Sequence, residues 1–431
     1  MLPWSCPSHS PDGRISRDLP MTDSSASSGT RIVMTFCVVL GITGGAAQYI
    51  VIVSPSIRTL LDLRADAFGW LLSSWLVLGV AGSLAGGWLA DRGYLRITAL
   101  ASVVLIGLSY GFCALPPSYA RYLIGIALTG LGNSALGTIG NVAVMRMHPL
   151  GARRALTWLL LSSAGAGMAA PPVWAMLISR LAGSSLGLQG AVQVLFLVSG
   201  MLCLLSLFFI AAHPLPETRP PSPSHGEGDR TPDPAGFRSV VGWPLVSICL
   251  FTTLHVGADN GIFLWLPDFA QRRFNPSPFP VAWILSGFSG AYLVGRFTLI
   301  HLPDRWRDLT LLGAAAGLGS ILVFAAFRSE SQYMLAALYI MAGLAMSADY
   351  PSILSHVGQV FPHATGRVMA IVGAVSSAAS VLVPPLMGYI GMATGTMVAG
   401  MMLPALMLAA LSASAFFWRA HLDRKAEAAR V

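Results

Sequence analysis

Long apolar stretches alternate with short polar loops along this chain of 431 residues. The stretches are roughly Ile32–Val53, Phe68–Ala90, Leu95–Leu115, Tyr122–Met147, Ala155–Ile178 and Ala191–Ala212, then Trp243–Leu266, Val281–Ile300, Leu309–Phe327, Tyr333–Val357, Val368–Ile390 and Thr396–Trp418. Each approaches or exceeds the ~20 residues a helix needs to cross a bilayer. The pattern predicts an all-α integral membrane protein. Two segments break the rhythm. His213–Val241 is rich in Pro, Ser, Gly and charge and reads as a disordered linker. The leading residues are similarly polar and hold no apolar core of the kind a cleavable signal peptide needs; Met21 could be the true start. The chain thus divides into a leading tail (1–30), a six-helix half (31–212), the linker (213–241), a second six-helix half (242–418) and a short tail (419–431).

The two halves resemble each other. Sliding the chain along itself by 213 residues sets Gly82 on Gly295, Asp91-Arg92 on Asp304-Arg305 and Gly130 on Gly343. Pro149 then meets Pro362, Arg154 meets Arg367, and Pro171-Pro172 meets Pro384-Pro385. Two parallel copies of one helical unit explain this register. A two-fold repeat of membrane helices is a transporter architecture, with its site between the copies.

Composition agrees: 55% of the residues are hydrophobic and 10% charged, against about 25% charged in soluble domains. The net charge of +8 sits mainly in short loops and tails, so it reports topology rather than nucleic-acid binding. With both termini placed in the cytoplasm, inner segments hold 18 of the 26 basic residues. That bias predicts a cell-membrane protein, cytoplasmic at both ends (an inner-membrane protein if the source is Gram-negative). The five cysteines show no metal spacing. There is no GxxxxGK[ST] or HExxH motif, and Gly183-Ser184-Ser185-Leu186-Gly187 reads as a flexible turn rather than a nucleophile elbow. No enzyme activity and no cofactor are expected, and the energy source is a gradient.

The loop GGWLADRGYLR (Gly86–Arg96) resembles the signature loop of the major facilitator superfamily, GxLaDRxGRR, with Gly87, Leu89, Asp91 and Arg92 in place. Its glycine, Gly93, comes one residue early, and only Arg96 remains of the basic run. Arg121, Gly125, Gly130 and Gly132 resemble that superfamily's fourth-span motif; Gly165, Gly167 and Pro171-Pro172 resemble its fifth. The resemblance implies twelve transmembrane helices as two pseudo-symmetric six-helix bundles, the major facilitator fold. It also implies that Asp91-Arg92 and Asp304-Arg305 act as charge locks between the halves; inside-positive anchoring is the alternative. A narrower resemblance links Thr138–Leu159, His255–Pro267 and Asp349–Pro362 to the fucose/glucose–proton symporters. Members of that group carry acids in the first and fourth spans; this chain has Asn133 and Asn141 in the fourth and no acid in either.

Intramembrane acids are expensive and usually functional. Only Asp259 and Asp349 lie deep in predicted spans, in the seventh and the tenth. His255 shares a helix face with Asp259, and the three are candidate proton-coupling residues. The alternative makes Asp259 a helix-packing acceptor and His255 a partner of a backbone carbonyl. Arg296, in the eighth span, either meets an anionic substrate group or an acid, or snorkels to the surface. Gln48, Tyr49, Asn133, Asn141, Asn260, Trp265, Tyr292 and Tyr350 could line a substrate cavity or serve as helix glue. Tyr350-Pro351 also interrupts backbone hydrogen bonding beside Asp349.

These features predict a monomeric secondary carrier that uses the proton gradient across the bilayer to take up a small polar metabolite, sugar-like or an organic acid. Proton-driven efflux and a transporter-like sensor are the alternatives. No nucleic-acid partner is expected.

Overall fold

Hydrocarbon offers no partner to a backbone N–H, so each apolar stretch must close its hydrogen bonds within itself. The computed structural model describes residues 23–147, 152–212, 242–274, 278–299, 308–361 and 365–428. The leading tail through residue 22 and the linker 213–241 lie outside them. The first half holds α1 (Asp23–Leu60), α2 (Ala65–Asp91), α3 (Leu95–Cys113), α4 (Tyr119–Met147), α5 (Ala152–Ala182) and α6 (Gly187–Ala212). The second holds α7 (Trp243–Phe274), α8 (Pro278–Leu299), α9 (Asp308–Arg328), α10 (Gln332–Met346), α11 (Asp349–Val360), α12 (Thr365–Ala393) and α13 (Met397–Ala428). Because α10 and α11 share one passage, the helices among the described residues form twelve passages. Eleven are long and apolar enough to cross a membrane. The twelfth, α8, carries Arg296 within its span.

The helices depart from the predicted spans at prolines. Pro55 has no N–H for the Val51 carbonyl, but the Ser54 hydroxyl donates to it at 2.9 Å. Helix α1 therefore continues to Leu60, and α7 likewise runs through Pro267 to Phe274. The predicted tenth span does break. Pro351 cannot donate to the Ser347 carbonyl, and Ser347-Ala348 forms a turn that leaves Asp349 as the first residue of α11.

The internal repeat recurs in the contacts. A β-carbon on Gly82 would run into the Leu131 carbonyl of α4, and one on Gly130 into the Trp75 carbonyl of α2. In the second half, a β-carbon on Gly295 would run into the Ser347 side chain and lie 3.0 Å from the Leu344 carbonyl of α10, and one on Gly343 would lie 2.7 Å from the Phe288 ring and 3.0 Å from the Phe288 carbonyl of α8. Leu131 and Leu344, like Trp75 and Phe288, are themselves 213 residues apart. The first crossing needs glycine because backbone meets backbone there; in the second, glycine leaves room for the Ser347 and Phe288 side chains as well as the backbone behind them. Gly82→Val is expected to cost about 1–3 kcal/mol through overpacking. It should lower the unfolding midpoint of the purified protein; an unchanged midpoint would contradict so close a crossing.

Gly93, early relative to the signature loop, ends α2. It sits in the left-handed region at φ 88°. Its N–H bonds the Ala90 carbonyl at 3.0 Å, and the Tyr94 N–H bonds the Leu89 carbonyl at 3.0 Å. That is the Schellman pattern, which favours glycine at this position.

The halves touch along α2 with α12, α5 with α8, and α1 with α7. At the Arg58 end the contact is close: a β-carbon on Gly69 would lie 2.7 Å from Pro385 Cα, and one on Gly388 would meet the Ala65 carbonyl. Toward the Asp91 end the helices diverge. Ser83 to Ala85 of α2 and Gly373 to Val375 of α12 are exposed, and a cavity of about 430 Å³ opens between α2, α4 and α12. One end is shut and the other open.

Candidate transport site

Helical spacing gives α7 a polar stripe, with His255, Asp259 and Asn260 followed by Phe263. Asp259, Asn260 and Phe263 form one wall of a cavity of about 300 Å³; Phe288, Tyr292 and Arg296 of α8 form the opposite wall. Ala164 and Gly167 of α5 close the side. The cavity therefore lies between the halves. The Arg296 guanidinium lies 5.0 Å from the centre of the Tyr292 ring, so the eighth-span cation lines the same cavity as Asp259. Among the described residues no ion pair holds Arg296. A second cavity of about 170 Å³ reaches Gln48 and Trp75. Asn260 and Phe263 line both, and Asn260 is fixed by a 2.9 Å bond to the Ser380 hydroxyl of α12. Among the described residues the buried Gln48 side-chain oxygen has no hydrogen-bond partner.

Behind the first cavity lies a buried pair that spacing along one helix does not reveal. His255 Nδ1 is 3.4 Å from Asp349 Oδ2, with both side chains almost wholly buried. The two are within ion-pair reach but not aligned as a hydrogen bond. His255 thus meets a carboxylate across helices, α7 to α11, in addition to sharing its own helix face with Asp259. The buried Asp259 Oδ1 has no hydrogen-bond partner among the described residues. Asp349 stands in the first turn of α11, where the helix dipole favours a carboxylate. The Tyr350 ring stacks on His255 with centroids 6.2 Å apart. The arrangement offers a proton two carboxylates and an imidazole beside a cavity that also holds a cation.

Other expected cavity residues fall elsewhere. Tyr49 is wholly buried inside the first half: its hydroxyl donates to the Val192 carbonyl of α6 at 2.9 Å, and its ring packs on Trp174 and Phe196. Trp265 is also wholly buried, its indole N–H donating to the Pro384 carbonyl at 3.0 Å. Both are corrected from cavity lining to packing, since their polar ends are satisfied by backbone. Asn133 donates to the Thr129 carbonyl of its own helix at 3.2 Å. Asn141 is exposed four residues beyond Gly137, where an added β-carbon would meet nothing, so α4 leaves open space on that face. Of the expected locks, Arg92 is exposed, its guanidinium 3.7 Å from the centre of the Trp88 ring. The Asp91 side chain, Asp304 and Arg305 lie outside the described residues.

Phe263 and Phe288 went unmarked in the sequence because apolar residues on a membrane helix carry no polar signal, and Gly167 was marked only for the fifth-span motif. Their spacing from Asp259, Tyr292 and each other was the available clue. Arg58 and Asp268 were missed because they follow the prolines at which the predicted spans stopped.

The profile of the Major Facilitator Superfamily matches residues 32–282 and 248–430. The 3-(3-hydroxy-phenyl)propionate transporter of Escherichia coli (strain K12) is 26% identical over 391 residues, covering 89% of each chain. This relative carries an aromatic acid and is not of the fucose/glucose group, so the narrower resemblance is corrected. Among solved structures, a bacterial homologue of the human lysosomal transporter Spinster, inward-facing and unoccupied, superposes with a TM-score of 0.73 at 15% identity, covering 90% of this chain and 96% of that one. A D-xylose–proton symporter gives 0.69 at 15% identity, covering 89% and 96%. With the profile spanning both six-helix halves, the chain belongs to the Major Facilitator Superfamily: it is a multi-pass membrane transporter, not an enzyme.

Proposed function

We propose that this transporter carries a small organic acid together with protons, by alternating access of the central cavity. One observation supports this most: Arg296 and Asp259 line one cavity between the halves, with the His255–Asp349 pair behind it. A guanidinium suits a carboxylate by charge and by its planar fork of donors. Phe263 and Phe288 offer apolar walls for the remainder of the molecule, and an aromatic acid is what the Escherichia coli relative carries.

In this reading the substrate carboxylate settles on Arg296. Asp259 faces the same space, and its negative charge would repel the incoming anion unless a proton neutralises it. Protonation therefore favours loading, which is the coupling a symporter needs. His255 and Asp349 hold or pass that proton out of reach of water. With the termini cytoplasmic, the open end of the bundle faces the cytoplasm, and Asp91-Arg92 and Asp304-Arg305 form the locks that close it.

Proteoliposomes loaded at neutral pH and offered labelled aromatic carboxylates, aliphatic carboxylates, sugars and amino acids test the reading. Aromatic carboxylates should accumulate only with the outside acidic. Accumulation of a sugar instead, or acid uptake indifferent to the gradient, would refute it. Accumulation under the opposite gradient would identify an exporter.

A further inference from the structure

The shut end of the bundle is held by charge. Arg58 lies in the last turn of α1, in the first half, and Asp268 lies just past Pro267 in α7, in the second. The Arg58 Nη1 group pairs with Asp268 Oδ2, and the carboxylate side chain is 1% exposed. Arg272, one turn along α7, donates from Nε to the other oxygen, Oδ1, at 2.9 Å. One carboxylate is thus divided between a cation from each half.

The pair sits in an aromatic seal. The Arg58 guanidinium lies 5.1 Å from the Phe68 ring centre and 5.8 Å from that of Trp265. These two rings, one from each half, meet edge to face at 5.1 Å. Trp265 is pinned to α12 through the Pro384 carbonyl. An exposed ion pair would be screened and worth little; this one is shielded from water on both sides.

We propose that Arg58 and Asp268 form a latch that keeps the cavity shut at the Arg58 end and breaks once in each transport cycle. The distribution of partners suits a bond that must break. When the halves separate, Asp268 keeps Arg272 on its own helix. Arg58 keeps the Leu63 carbonyl, which its Nε meets at 3.2 Å, and the face of Phe68. Neither charge is stranded, so opening avoids the large cost of an unpaired buried ion. This makes the pair a reversible latch rather than a permanent staple. The inference requires only that the protein alternates, and does not depend on the substrate.

The test places one reporter cysteine at Leu72, on the cavity wall beneath the seal, in protein whose native cysteines are replaced. A membrane-impermeant maleimide is then added from the Arg58 side. Asp268→Asn and Arg58→Gln should each raise the labelling rate about tenfold, because the closed population loses its cross-half pair. Arg272→Gln, which leaves that pair in place, should stay near the parent rate. Equal labelling of parent, Asp268→Asn and Arg58→Gln would overturn the latch, as would an Arg272→Gln effect as large as theirs. If the neutral variants do not fold, Arg58→Lys decides. It keeps the charge but loses the fork and ring contact, so labelling should still rise, and an unchanged rate refutes the proposal.

Discussion

Replacing Asp349 with asparagine should abolish accumulation of substrate against its gradient while leaving exchange intact. A one-unit pH difference stores about 1.4 kcal/mol per proton, enough for roughly tenfold accumulation at one proton per substrate. The parent protein should reach about that ratio, and Asp349→Asn should stay near unity. The reason is placement. Asp349 is wholly buried, its described side-chain partner within ion-pair distance is His255, and the first turn of α11 is built to receive a negative charge there. Asparagine keeps the shape but can neither hold nor release a proton. Counterflow of labelled against unlabelled substrate requires no net proton movement, so it should persist. Gradient-driven accumulation unchanged in Asp349→Asn would remove this residue from the coupling machinery. Loss of counterflow as well would point to a structural defect.

The second large effect is expected at Arg296. A hydrogen bond to a charged group contributes about 1.5–3 kcal/mol, so Arg296→Gln should weaken binding of a carboxylate substrate about 10- to 100-fold. Arg296→Lys should fall between, since lysine retains the charge but not the planar fork laid over Tyr292. Substrate titration of the purified protein, followed by tryptophan fluorescence, reads this directly. Among the described residues Arg296 has no ion-pair partner, so its removal leaves no carboxylate unpaired and the protein should still fold. An ester of the same substrate should bind both forms alike. Equal affinity of parent and Arg296→Gln for the free acid would show that the carboxylate goes elsewhere.

Much of the architecture was legible in the residues because hydrocarbon imposes simple rules. Apolar runs gave the spans, and rare signatures such as Gly82/Gly295 gave the repeat, since a glycine that lets two helices cross closely has no substitute. Asp259 and Asp349 stood out because acids in a membrane are costly. Partnerships between helices were not legible. His255 has Asp259 four residues away, and only the fold could bring Asp349, 94 positions later in the chain, within 3.4 Å of it. Tyr49 and Trp265 were misread because a polar tip on an aromatic ring suits a cavity and a backbone carbonyl equally well. Arg58 and Asp268 were hidden because helices α1 and α7 continue beyond Pro55 and Pro267. Hydroxyl donation from Ser54 to Val51 shows how the first of these prolines is tolerated.

That substrate and proton move together is the account's central claim, and a pH electrode tests it most directly. Parent protein in lightly buffered proteoliposomes, without an imposed gradient, is given an aromatic carboxylate from outside. The account predicts a transient alkalinisation of the medium as protons enter with the anion, absent in Asp349→Asn vesicles. Uptake of the carboxylate with no change in external pH, or with acidification, would contradict it.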